Sequence, residues 1–140
     1  MPRPKLKLPA EFSFHTQITV RVSDVNYAGH LSNDRVLSFI HEARARYLNQ
    51  FGFTELDVAG CGTIVTDAVI IYKSEGFHGD KLNIHIALND FHRFGCVFYY
   101  KLTNSATGKE IARARTGLVF FDYAVRKMVA VPDEFKKVAH

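Results

Sequence analysis

Cysteine is scarce in this chain. Only Cys61 and Cys96 occur. They form no Cys-x-x-Cys pair and have no His or Cys at metal-ligand spacing, so neither a disulfide framework nor a zinc site is indicated. Proline is absent between Pro9 and Pro132. The interior therefore reads as uninterrupted regular structure, with a loose leader over about 1–10 and a short tail over about 130–140. No segment approaches the roughly 18 apolar residues of a membrane-crossing helix, and the N-terminus lacks the apolar stretch of a signal peptide. The expectation is a cytoplasmic protein without a membrane span, metal or cofactor. Internal repeats and low-complexity runs are also missing.

What is present fits one folded domain over residues 1–140. A chain of 140 residues can bury a core without staples, and 47% hydrophobic with 23% charged residues is ordinary globular material. The formal charge of +4 comes partly from Arg3, Lys5 and Lys7 at one end and Lys136 and Lys137 at the other. A mild basic excess suits a phosphate-bearing ligand without proving one.

Phe12, Phe14, Thr16, Ile18, Val20 and Val22 alternate with more polar neighbours, the period of a half-buried strand over about 11–22. From 33 to 51 the spacing changes to three and four, through Val36, Leu37, Ile40, Ala43, Tyr47, Leu48 and Phe51. That predicts one helix of about five turns, with Ser32 or Asn33 as N-cap and Gly52 as the stop. Arg35, Ser38, Glu42, Arg46 and Asn49 fall on its polar side, with Asp34 and His41 at the border. Four more strands follow, at about 62–74, 80–90, 93–104 and 109–123. Gly79-Asp80, Asn89-Asp90 and residues 104–108 supply turns short enough for antiparallel hairpins. Such long strands must twist, so the expected class is α+β: a curled antiparallel sheet of about five long strands wrapped around one central helix.

The loop that enters the helix carries Asp24, Asn26, His30 and Asn33 within ten positions. A helix N-terminus offers unpaired N–H groups and the positive end of the helix dipole to a carbonyl oxygen that gains negative charge. A nearby amide and imidazole could position or activate water.

The run Asp24-x-Asn26-x-x-Gly29-His30-Leu31-x-Asn33, continued by Ile40-His41-Glu42-Ala43-Arg44, resembles the hotdog-fold acyl-CoA thioesterases of the 4-hydroxybenzoyl-CoA thioesterase type. In that family the loop reads D-x-D-x-x-G-H-V-N-N, the helix ends in E-x-A-R, and a Tyr and a Gly-Asp come later. Tyr72 and Gly79-Asp80 match the later positions. Three departures stand out. Asn26 replaces the Asp that acts as nucleophile or base, and an amide can be neither near neutral pH. His41 replaces the helix carboxylate. Lys73-Ser74-Glu75 replaces the Pro that follows the Tyr.

The resemblance implies catalytic roles for Asn26, His30, Asn33 and His41, and substrate contacts at Asp24 and Gly29. Each has a plainer alternative. Asn33 could present its N–H to a thioester carbonyl or be an ordinary cap. His30, with an unperturbed pKa of about 6.5, could activate water or tie down the loop. Asn26 could orient the reactants or simply make the turn. His41 could be a substitute base or a surface hydrogen-bonder. Glu42 points away from the core and suits an i, i+4 pair with Arg46. Asp67 is a remote acid across a subunit boundary or an exposed strand residue. Arg93 and Lys101 could meet the phosphates of coenzyme A.

The leading function is hydrolysis of acyl-CoA to free acid and coenzyme A, in a homodimer or homotetramer. The alternative is a weakly catalytic acyl-CoA or acyl-carrier-protein binding protein that keeps the hotdog pocket. Nucleic acid is not an expected partner. Residues 93–100 superficially resemble an RNA-recognition strand, but the connection at 104–108 is too short for the helix that fold requires.

Overall fold

The computed structural model describes residues 4–139. The ends of the expected leader and tail, residues 1–3 and 140, lie outside them. The elements run β1 (Phe14–Thr19), a 3₁₀ turn (Val22–Asp24), α1 (Asn33–Asn49), β2 (Gly62–Tyr72), β3 (Lys81–His92), β4 (Gly95–Asn104), β5 (Glu110–Asp122), β6 (Lys127–Val129) and α2 (Asp133–Val138).

The one long helix forms where the three-four spacing places it, with Ser32 as its N-cap. It buries Val36, Phe39, Ile40, Ala43, Arg44, Tyr47 and Leu48 against the inner face of the sheet. Leu37, expected on the apolar stripe, is instead exposed, whereas Phe39 and Arg44 are buried. A curled sheet encloses more of the helix circumference than a flat one, so the buried arc shifts and widens. Tyr47 meets Phe14, Phe51 and Phe98 edge-on, at centroid distances of 5.4–5.6 Å. Each fully buried large apolar side chain contributes about 1.5–3 kcal/mol.

All sheet pairings are antiparallel, in the order β1-β3-β4-β5-β2, and β6 extends the β4 side of β5 beyond Gly95. Two expectations need correction. First, β2 and β3 are not a hairpin: β2 pairs with β5 and lies at the opposite edge from β1. Residues 73–80 therefore cross the end of the sheet instead of turning back beside β2. Second, Asn89-Asp90 is not the β3–β4 turn. Asp90 takes φ +53 inside β3, the pairing register shifts between Asn89 and His92, and the chain reverses at Arg93-Phe94. An Asn-Asp pair suits a bulge as well as a turn, because both residues tolerate the left-handed region. The short tail expected over about 130–140 forms α2 and inserts Phe135, fully buried, against Phe53 and Phe120. The leader has no regular structure from residue 4, yet its Leu6 carbonyl accepts a hydrogen bond from Arg113 Nη1 at 2.9 Å.

One polar chain threads the core. Arg44, 6% exposed, donates through Nε to Glu55 Oε1 at 3.3 Å and through Nη1 to the Tyr100 hydroxyl at 3.0 Å. Tyr100 also shares a 2.8 Å hydrogen bond with Thr116. Burial pushes the Tyr100 phenol above its ordinary pKa, so it remains a neutral O–H. The chain ties α1 to β4, β5 and the loop after the helix. The two cysteines are free, and burial raises the Cys96 thiol to about 12, which leaves it unreactive at neutral pH.

Replacing Arg44 by Met should lower unfolding stability by about 1–3 kcal/mol, because Glu55 and Tyr100 lose a charge-assisted partner. Urea unfolding of the variant beside wild type measures it; an unchanged midpoint and slope would show the tie to be dispensable.

Candidate active site

The entry to α1 and the crossing segment 73–80 meet at the end of β2. Leu31 N–H donates to the Gly76 carbonyl at 2.7 Å, and His30 bridges to Phe77. At the far end of the crossing, Val20 and Gly79–Asp80 exchange backbone hydrogen bonds of 2.8 Å. Between these walls lies a pocket of about 310 Å³, lined by Asn26, His30, Asn33, Val36, Tyr72, residues 73–76 and Ile111.

Asn26 organises its own loop. Its Oδ1 accepts the backbone N–H groups of Ala28, at 3.0 Å, and His30, at 3.2 Å, and its N–H donates to the His30 carbonyl at 2.8 Å. Gly29 allows the return: its φ of +85 lies in the left-handed region, where a Cβ is costly. Both oxygen lone pairs of the amide are thus occupied, and its NH₂ is the part left to face a ligand.

His30 is held from two sides. Its Nδ1 lies 3.2 Å from Glu75 Oε1, and its ring meets Phe77 edge-on at 5.4 Å. Nε2 has no partner among the described residues. A carboxylate on one imidazole nitrogen with the other free is the arrangement of an oriented general base.

The start of α1 is open. Ser32 makes no side-chain cap, its hydroxyl donating to Asp34 instead, and the Asn33 N–H has no partner among the described residues. That Ser32 bond, the largest of several causes, holds the Asp34 carboxyl below its ordinary range. The Asn33 carbonyl accepts the Tyr72 hydroxyl at 3.0 Å, and partial burial keeps that phenol above its usual pKa. The positive end of α1 therefore faces the pocket with an unpaired donor.

Other expected residues lie elsewhere. Asp24 is 1% exposed and outside this pocket; its carboxylate accepts Arg21 N–H at 2.9 Å and its carbonyl accepts Ser32 N–H. His41 is exposed and pairs with Glu55 at 3.2 Å. Arg93 lies over the Phe94 ring in the β3–β4 hairpin, about 23 Å of strand from the residues paired near Ile111. Glu42 pairs with Arg46 at 2.7 Å. Asp67 follows a β-bulge on β2 and accepts the Thr66 hydroxyl. Glu75, Lys73 and Tyr72 in the pocket were not given a chemical role from sequence; the signals were the match of Tyr72 to the family pattern and the departure at 73–75.

The fold is the hotdog arrangement, a curled antiparallel sheet around a long helix. A family model described as the thioesterase-like superfamily matches residues 20–138, and the chain belongs to that superfamily. Among solved structures, a 1,4-dihydroxy-2-naphthoyl-CoA thioesterase from Synechocystis is similar at 20% identity and TM-score 0.81, covering 89% of this chain and 93% of that one. A DHNA-CoA thioesterase from Staphylococcus aureus is similar at 21% identity and TM-score 0.75, covering 89% and 81%. A hypothetical protein from Aquifex aeolicus reaches 22% and 0.83, covering 91% and 100%. At these identities the likeness is one of fold. No curated protein matches the sequence. No helix among the described residues is long and apolar enough to cross a membrane.

Replacing Asn26 by Ala should speed hydrogen exchange at the Ala28 and His30 amides and cost about 1 kcal/mol of stability. Asp at this position retains both acceptors and should preserve protection. Exchange rates unchanged in the Ala variant would refute the keystone role of Asn26.

Proposed function

We propose that this protein hydrolyses acyl-CoA thioesters to the free acid and coenzyme A. The observation that carries the reading is the convergence on one pocket of the His30–Glu75 pair, the Asn26 amide and the unpartnered Asn33 N–H at a helix start.

The chemistry follows from the donors and acceptors. The thioester carbonyl oxygen takes the Asn33 N–H, where the helix dipole favours the negative charge that develops. The Asn26 NH₂, its oxygen engaged by the loop, holds the same oxygen or the attacking water. His30 Nε2 removes a proton as water adds to the carbonyl carbon, and Glu75 stabilises the resulting imidazolium. The tetrahedral intermediate then expels the coenzyme A sulfur, and the imidazolium returns the proton to it. Thioesters lack strong amide resonance, so positioning and modest polarisation suffice. His41 does not join these groups within one chain and is best read as a surface partner of Glu55.

A second reading has its own support. Asn26 cannot act as a base, and its oxygen is committed to the loop, which suits a pocket that binds acyl-CoA or an acyl carrier protein with little turnover.

We also infer a homodimer built on β2, which could assemble further into a tetramer. One edge of β2 pairs with β5, and the other has no partner strand among the described residues. Val65, Val69 and Tyr72 are each 39–40% exposed there, an edge that soluble proteins normally cover. The two free thiols suit a reducing cytoplasm.

Free-thiol release from short, long and aromatic acyl-CoAs tests the activity. His30→Ala should lower turnover about 10²–10⁴-fold with folding intact, and Glu75→Gln should lower kcat with little change in KM. Equal rates for wild type and His30→Ala would sink the mechanism, while ligand binding with no release by wild type would favour the binding role. Light scattering should give a dimer or tetramer, and Val69→Lys should shift it to monomer; a wild-type monomer contradicts the β2 interface.

A further inference from the structure

A second and larger concavity, about 540 Å³, lies on the opposite side of α1 from the pocket just described. It is the groove between α1 and β1, and it takes no part in the proposed hydrolysis. Residues 35, 38, 39, 42 and 46 of α1 form one wall at the helical period, and residues 17–19 of β1 form the other. Its floor includes Phe39 and Ile18. Its rim holds three guanidinium groups, those of Arg21, Arg35 and Arg46.

These arginines are not equivalent. Arg46 is fixed: Nε donates to Glu42 at 2.7 Å, and Nη1 donates to Thr16 Oγ1 at 2.8 Å and to the Gln17 carbonyl at 3.1 Å. Arg21 Nε donates to Asp24 Oδ2 at 3.3 Å. The Arg35 guanidinium has no hydrogen bond or ion pair among the described residues; the neighbouring Asp34 carboxylate accepts the Ser32 hydroxyl and feels Arg35 only through its charge. Arg35 also sits in the first turn of α1, where the helix dipole disfavours a cation. The groove thus brings three cations against the two carboxylates of Asp24 and Glu42, both already engaged by Arg21 and Arg46. The one guanidinium of the three without a hydrogen-bonded carboxylate is that of the half-buried Arg35, at the edge of an apolar floor.

We propose that this groove is a second ligand site, for an amphipathic oxyanion: a phosphate or carboxylate carried on an apolar or planar body. A guanidinium offers paired N–H donors that match oxyanion geometry. Arg35 supplies the open fork, Arg46 is held in place by its other contacts, and the Ile18–Phe39 floor takes the body of the ligand. The volume is that of ordinary small-molecule sites. Asp24 belongs to the groove, while its carbonyl holds the Ser32 N–H in the loop before α1, so an occupant would bear on the back of the loop that carries Asn26 and His30.

The test is direct binding to the resting full-length protein, independent of thioester turnover. Inorganic pyrophosphate, adenosine diphosphate and octanoate are titrated separately while the arginine Nε–Hε resonances are followed. Saturable binding of at least one probe should shift the Arg35 signal. Arg35→Gln should weaken that binding at least tenfold with an unchanged thermal midpoint, whereas Lys73→Gln, at the other pocket, should leave it intact. Response to pyrophosphate and adenosine diphosphate assigns a phosphate ligand, and response to octanoate alone assigns a carboxylate; either supports the site. No saturable binding at about 10 mM, equal affinity in Arg35→Gln, or loss in Lys73→Gln instead would overturn it.

Discussion

Because β2 pairs with β5 at one edge of the sheet while β3 pairs with β1 near the other, residues 73–80 must cross the end of the sheet. The candidate site exists because of that crossing. Gly76 and Phe77 are drawn against the loop before α1, and Asp80 and Gly79 close against Val20. Glu75 thereby arrives 3.2 Å from His30, although the two are far apart in sequence. A β2–β3 hairpin would have kept Lys73–Glu75 beside the wrong strand, and the pocket would have lost one wall.

Structural and chemical demands share the same atoms. Asn26 Oδ1 serves the loop, which leaves the nitrogen for the ligand. Ser32 stands at the cap position yet spends its hydroxyl on Asp34, and so the first helical N–H stays open. In an ordinary globular helix the cap side chain would satisfy a backbone donor; here the donor faces a pocket, the arrangement expected where an anion or a developing oxyanion is to be held. Deeper in the protein Arg44, Tyr100 and Thr116 are linked in series by hydrogen bonds, since an unpaired polar group there has no water to turn to.

α1 divides the surface into two unlike concavities. One side presents an amide, an imidazole and an unpaired N–H; the other presents arginines above an apolar floor. Both follow from the same helical period, with Asn33 and Val36 on one side and Arg35, Ser38, Phe39 and Glu42 on the other.

The order of elements and the central helix were legible in the sequence because alternation and three-four spacing are local consequences of burying one face. The strand limits for β2, β4 and β5 lie within two residues of those read from the pattern, and Asn26, His30 and Asn33 do share a pocket. Resemblance to hotdog thioesterases supplied the family. Local pattern could not supply pairing across the sheet, which depends on contacts between distant segments, and so the β2–β3 crossing, the Asp90 bulge and the docking of Phe135 were missed. It was silent on Glu75 for the same reason. His41 and Asp24 drew attention through the family resemblance and Arg93 by its charge, but the fold points His41 at Glu55, buries Asp24 beneath the loop and carries Arg93 to the far hairpin. Sequence by itself determined the elements, most of their apolar faces and which residues can do chemistry. Tertiary structure alone decided which of them meet, because a contact such as His30–Glu75 requires a few ångströms of spatial proximity that only the closed sheet can impose.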